Sequence, residues 1–122
     1  MSTIAQQLHI KEFPFRIKDK NGNCIYREDS NREWSRYERD SKGRIAYCEN
    51  SNGFSFKTEY DSNGKEIYTE YNSGNYIKRE YDSNGNCIYY ETHGYCYDYW
   101  VKRKYDSNGN EIYFETPYTK QR

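Results

Sequence analysis

Leucine and valine are almost missing from this chain of 122 residues, with one of each, Leu8 and Val101. Together with isoleucine and phenylalanine they fall below the share of about 20% under which a chain of high net charge stays disordered. Net charge is missing too, because 19 basic residues balance 19 acidic ones. That balance removes the drive to disorder. It also removes the excess of Lys and Arg that counterion release on a polyanion requires, so nucleic acid is not an expected partner. No stretch approaches the roughly 20 apolar residues of a membrane span. Met1 to Ile10 has neither the basic start nor the apolar run of an export signal, which makes the cytoplasm the expected location. The four cysteines, Cys24, Cys48, Cys87 and Cys96, form no Cys-x-x-Cys pair, and reduced thiols are expected where no export signal supplies an oxidising setting. Phosphate loops, nucleophile elbows and HExxH motifs are all lacking.

Sixteen tyrosines supply the apolar surface that leucine and valine do not. Each carries a large apolar ring with a wet tip, which suits a sheet half in water better than a dry core. The tyrosines come with a repeated turn. YDSNGN occurs at Tyr81–Asn86 and again at Tyr105–Asn110, and YDSNGK at Tyr60–Lys65. Looser copies begin at Arg39 and Lys18. The turn glycines Gly22, Gly43, Gly64, Gly85 and Gly109 are spaced by 21, 21, 21 and 24 residues, with weaker turns halfway between them. Asp at the first position bonds amides just ahead, Ser and Asn fit a type I turn, and Gly takes the left-handed conformation that lets the chain return. A turn about every ten residues, with Tyr, Ile, Phe and Trp between, predicts an all-β antiparallel meander of about five tandem hairpins.

The YDSNG motif and the Ile-Tyr that follows it resemble the YD repeats of Rhs-type proteins, over about Ile17 to Thr116. The period and the Tyr/Gly richness are also similar to MORN-like and choline-binding-type hairpin repeats. Five repeats are too few for the enclosing shells of large YD arrays. The resemblance to short free-standing arrays implies a protein that a phage or mobile element encodes, and such proteins sometimes inhibit host defences.

Alternation across strands, with Asp-Ser-Asn-Gly taken as a four-residue loop, sets Tyr60 against Lys65, Thr58 against Ile67 and Phe56 against Thr69. One face then collects Phe56, Ile77, Val101 and the isoleucines that follow the turns. The other collects a tyrosine ladder (Tyr26, Tyr47, Tyr68, Tyr89, Tyr113), a glutamate ladder from Glu28 to Glu115, and a basic ladder beside Trp34, Tyr76 and Trp100. A three-residue loop would slip the register by one and mix these sets. Residues 1–16 are expected to cap the sheet, 17–116 to form the repeats and 117–122 to form a tail. Ser2 is expected to cap a short helix over Thr3 to His9, with Ile4, Leu8, Phe13 and Phe15 plugging one end of the aliphatic face. The rest of that face needs curling or a second molecule to cover it, so it can serve for homodimerisation.

The last repeat admits three extra residues, in THGYCYDYW. His93, Cys96 and Asp98 match no zinc spacing, and neither a metal nor a cofactor is expected. Five alike Glu positions offer no differently tuned pair of carboxyls, which catalysis needs, so the chain is not expected to be an enzyme. Two readings of the ladder face remain open: a self-paired, solvated sheet surface, or a flat aromatic binding surface. The expected function is non-catalytic binding of a host protein by steric occlusion. It would use Tyr47, Tyr68, Tyr89, Tyr113, Trp34, Tyr76 and Trp100, with His93, Tyr95, Tyr97 and Tyr99 from the longer loop. A small-ligand or glycan-binding array and a self-assembling structural unit are the alternatives.

Overall fold

The computed structural model of the protein describes residues 2–94 and 98–119. A helix, α1 (Ile4–Gln7), precedes β1 (Phe15–Lys18), β2 (Cys24–Glu28), β3 (Trp34–Arg39), β4 (Ile45–Asn50) and β5 (Ser55–Tyr60). There follow β6 (Glu66–Tyr71), β7 (Tyr76–Tyr81), β8 (Cys87–His93), β9 (Tyr99–Tyr105) and β10 (Glu111–Glu115). Strand order in the sheet is chain order, the antiparallel meander expected from the turn spacing. Contacts gather the chain into two compact units, Met1–Lys57 and Thr58–Arg122. The first holds α1 and β1 to β4, the second holds β6 to β10, and β5 is divided between them.

Each YD turn is built by its aspartate. In Asp61–Lys65 the Gly64 amide donates to the Asp61 carbonyl at 3.0 Å, and the Asp61 amide donates to the Lys65 carbonyl at 2.9 Å. The Asp61 carboxylate accepts from the amides of Asn63 and Lys65. The pattern recurs at Asp19, Asp40, Asp82 and Asp106. These bonds, led by the amides of Asn86 and Asn110, hold the Asp82 and Asp106 carboxyls below the ordinary range against the opposing effect of desolvation. Gly109 closes its turn at φ 84°, and a Cβ there would meet nothing within 4 Å. Gly109→Ala therefore isolates backbone strain, and we expect a loss of about 1–2 kcal/mol in urea denaturation. An unchanged midpoint would show that the left-handed corner is dispensable.

The loop contains three residues, not the four expected. Asp61 and Lys65 pair directly, and in the equivalent turn Tyr81 stands opposite Cys87. A three-residue loop alone would have mixed the two faces. The return strand corrects this with a bulge: Glu80 pairs with Tyr89, so Ile88 is an extra residue. The same shift occurs at Ile17/Lys18, Glu38/Arg39 and between Glu111 and Tyr113. Turn and bulge each displace the register by one, and together they restore face parity. Thr58 consequently meets Thr69, their hydroxyls 3.3 Å apart, rather than Ile67.

The face expected to be aliphatic mixes apolar and polar side chains at its centre. Cys48 in the first unit, and Thr58, Thr69 and Val101 in the second, are each 6% exposed. Arginines lie over neighbouring rings: Arg39 over Tyr37 in the first unit, and Arg79 over Tyr90 and Arg103 over Phe114 in the second. The helix does not plug this face. Thr3, not Ser2, is the N-cap, and Ile4 and Leu8 are exposed, with Ala5 the helix's buried residue. The small Ala5 lets the backbone approach a polar anchor on the other face, Glu28.

Candidate functional site

The ladder face arises from two features of each repeat, a Tyr four residues past the turn glycine and a Glu two residues later. Alternation puts both on one side, and the phenol reaches the carboxylate. Tyr26 donates to Glu28 at 2.9 Å, and Tyr68 to Glu70, Tyr89 to Glu91 and Tyr113 to Glu115 at 2.6 Å each. Across the strands the tyrosine faces a base and the glutamate, with one exception, an aromatic. The pairs are Tyr26–Arg36 with Glu28–Trp34, Tyr68–Lys78 with Glu70–Tyr76, and Tyr89–Lys102 with Glu91–Trp100. In the remaining pair Tyr47 faces Lys57 and Glu49 faces Ser55.

In the first unit, Glu28 is fully buried. It accepts from Thr3 Oγ1 at 2.6 Å, the Ala5 amide at 3.1 Å and the Tyr26 hydroxyl, with Arg32 at 3.5 Å. Burial opposes its ionisation, but these donors, Thr3 and Tyr26 first, prevail and hold its carboxyl below the usual range. Trp34 stacks on Tyr26 at 6.1 Å. Arg36 bonds Glu49 at 2.9 Å and lies over Tyr47. A recess of about 470 Å³ beside these residues is lined by Arg27, Asp29, Trp34, Asn50 and Asn52, among others.

In the second unit the aromatics converge on Glu91. Its two oxygens accept from Tyr89 at 2.6 Å and from Tyr76 at 2.7 Å. Tyr76 stacks on His93 at 5.1 Å and tilts against Tyr68 at 5.9 Å. His93 Nδ1 lies 2.6 Å from Asp98, and Lys102 lies over Trp100. Hydrogen bonding to Glu91 raises the Tyr89 phenol to about 12, and bonding to Glu70 does the same for Tyr68, while the Tyr89 and Tyr76 phenols hold the Glu91 carboxyl down. Four of the anticipated residues, Tyr76, Tyr89, His93 and Trp100, thus gather about one carboxylate that the sequence presents as one rung among five, and a fifth, Tyr68, packs on Tyr76 from its own bond to Glu70.

Tyr99 does not join them. In β9 it pairs with Thr92 of β8 on the opposite face, and it stacks on Tyr118 at 6.2 Å. Tyr113 lies on the ladder face in the last strand, 42% exposed, beneath Lys104. Tyr95, Tyr97 and Cys96 lie outside the described residues. Among the described residues no group of three His, Cys, Asp or Glu comes together as a metal site, and no helix is long and apolar enough to cross a membrane.

No family model matches the chain, and no curated protein does. Solved structures do. A crystal structure described as TcdB2-TccC3-TEV superposes with a TM-score of 0.69 at 13% identity, over 96% of this chain and 6% of that one. The Photorhabdus luminescens Tc holotoxin pore gives 0.67 at 14% identity, over the same two shares. These are Rhs/YD-repeat toxin components. The likeness is one of fold. This chain spans about one part in seventeen of those neighbours, so the fold of that span is what the two share.

Proposed function

We propose that the protein is a non-catalytic protein-binding module that docks a partner through the aromatic cluster around Glu91. The supporting observation is the fixing of that cluster. Tyr76 and Tyr89 are tied to one carboxylate, and Tyr76 is further held between His93 and Tyr68. Rings already locked lose little freedom on binding, and Tyr and Trp dominate interface hot spots. The balanced charges around them favour a protein surface over a polyanion. The partner in this reading is a host factor occluded sterically, as by a short repeat protein from a phage or mobile element. The toxin neighbours lend it the fold and no activity.

Affinity capture from host lysate tests the reading with the wild type and with Tyr76→Ala and Trp100→Ala, each checked for retained sheet by circular dichroism. The expected result is one stoichiometric partner, lost with either variant. Recovery of no such partner, or its equal recovery by both variants, would overturn the proposal.

A second reading, glycan binding, draws on the recess beside Trp34, where an aromatic sits among Asp29, Asn50 and Asn52. Titration with cell-wall sugars distinguishes the two, since saturation at one site, removed by Trp34→Ala, belongs to the glycan reading alone.

A further inference from the structure

Among the described residues, two that are not glycine hold a positive φ, His9 at 58° and Arg32 at 67°. Arg32 stands in a weaker turn, where its amide donates to the Asp29 carbonyl at 3.1 Å. Two sister turns with the same bond put Gly53 and Gly74 in that corner, at φ 92° and 93°. An arginine there is strained, and strain of this kind points to a task for the side chain.

Part of that task is visible. Arg32 lies 3.5 Å from the buried Glu28 and 5.2 Å over the Phe13 ring. Thr3, Ala5 and Tyr26 already serve Glu28 at shorter range, so one long contact leaves most of the guanidinium donors for something else. Arg32 and His9 line one recess of about 370 Å³, together with Gln6, Ile10, Lys11 and Phe13. Every polar side chain in that lining can donate, and none is a carboxylate. The Gln6 carbonyl oxygen accepts from the Thr3 amide at 2.8 Å, which leaves its amide group to donate. No ion pair among the described residues uses Lys11 or His9. Glu28 offsets one positive charge beneath Arg32, and Lys11 adds another that no ion pair takes up. Ile10 and Phe13, both half-buried, form an apolar wall.

We propose that this recess binds an aryl phosphate. Arg32 and Lys11 hold the dianion, Gln6 and His9 donate to its remaining oxygens, and the ring lies against Phe13 and Ile10. A guanidinium matches two phosphate oxygens at once, and an ammonium adds a point charge. A bare phosphate leaves the apolar wall unused, and a neutral arene leaves the donors unpaired. The volume suits a ligand at the small end of the usual range.

The recess belongs to the first unit and the Glu91 cluster to the second. It shares no lining residue with the recess beside Trp34, so each proposal fails or stands alone. The test titrates the full chain with phenyl phosphate at constant ionic strength, followed by NMR. Saturation is expected with a Kd of about 1 mM or tighter, an ordinary efficiency for so small a ligand. Inorganic phosphate, phenol and benzoate should each bind about tenfold more weakly. Arg32→Gly gives the corner the residue of its sister turns. The sheet, and resistance to protease before Phe15, should therefore persist while the Kd rises about tenfold. Lys11→Gln, which touches no anchor, should raise it about threefold, and Lys20→Gln, in a YD turn, should leave it unchanged. Capped phosphotyrosine separates two sources of the ligand: binding at least as tight as that of phenyl phosphate indicates a modified protein, and weaker binding indicates a free aryl phosphate. No saturation at millimolar phenyl phosphate would overturn the proposal. So would equal binding of inorganic phosphate or benzoate, or undiminished binding by Arg32→Gly and Lys11→Gln.

Discussion

Glu28→Ala releases the N-terminal segment and costs the first unit about 3 kcal/mol. The carboxylate has no exposed surface, and it satisfies the Thr3 hydroxyl, the Ala5 amide and the Tyr26 phenol. Removing it strands two buried donors at roughly 1–3 kcal/mol each and leaves a void beneath Ala5. Denaturant titration gives the loss. Protease nicking before Phe15 reports the release, and a chain that stays resistant would show that α1 is held by something else. The same anchor predicts acid sensitivity. Because the folded carboxyl titrates below its unfolded range, its contribution is complete above about pH 4.5. It is lost as pH falls through the folded pKa. Release of the segment should therefore begin below about pH 4 in the wild type and be independent of pH in Glu28→Ala.

Alkaline unfolding is the second large effect. Tyr26, Tyr68 and Tyr89 are each pushed up to about 12, Tyr26 chiefly by burial and the other two chiefly by their bonds to Glu70 and Glu91. A raised folded pKa contributes stability that is complete below the unfolded value near 10 and disappears as pH climbs through the folded one. After allowance for solvent screening, each phenol supplies about 1–2 kcal/mol. The denaturation midpoint should then fall steeply between about pH 10 and 12, with up to three protons released on unfolding. Tyr89→Phe should flatten that dependence by about one proton. If tyrosinate absorbance shows all the phenols ionising near pH 10 while the sheet persists, the phenol–carboxylate ladder is not structural.

Much of this fold is legible because its signals are local. Asp-Ser-Asn-Gly carries its own turn in the aspartate's bonds and the glycine's positive φ, and period-two alternation sorts Tyr26, Tyr47, Tyr68, Tyr89 and Tyr113 to one face with their glutamates. Loop length is not legible. A four-residue loop, and a three-residue loop followed by a bulge, yield the same sorting, so the side-chain pattern cannot separate them. The helix misled for another reason. Ile4 and Leu8 looked like a plug, whereas a small alanine and a buried carboxylate make the contact, and tertiary partners of that kind leave no periodicity. For the candidate site, the ladder residues follow from alternation, and so should the separation of Tyr99 from Trp100. The convergence on Glu91 needed Tyr76 to arrive from the preceding strand, β7, a matter of cross-strand register.

The paired one-residue displacements also govern how such a chain can drift. From turn glycine to ladder tyrosine the count never varies, whether Gly22 to Tyr26, Gly64 to Tyr68 or Gly109 to Tyr113. The stretch from that tyrosine to the next glycine is longer between Tyr89 and Gly109 than between Tyr26 and Gly43. A codon lost within the first interval would turn the downstream strand inside out, while codons gained at the weaker turn inside the second only lengthen a hairpin tip. Heredity can lengthen this molecule's fingers freely, but it must leave its knuckles alone.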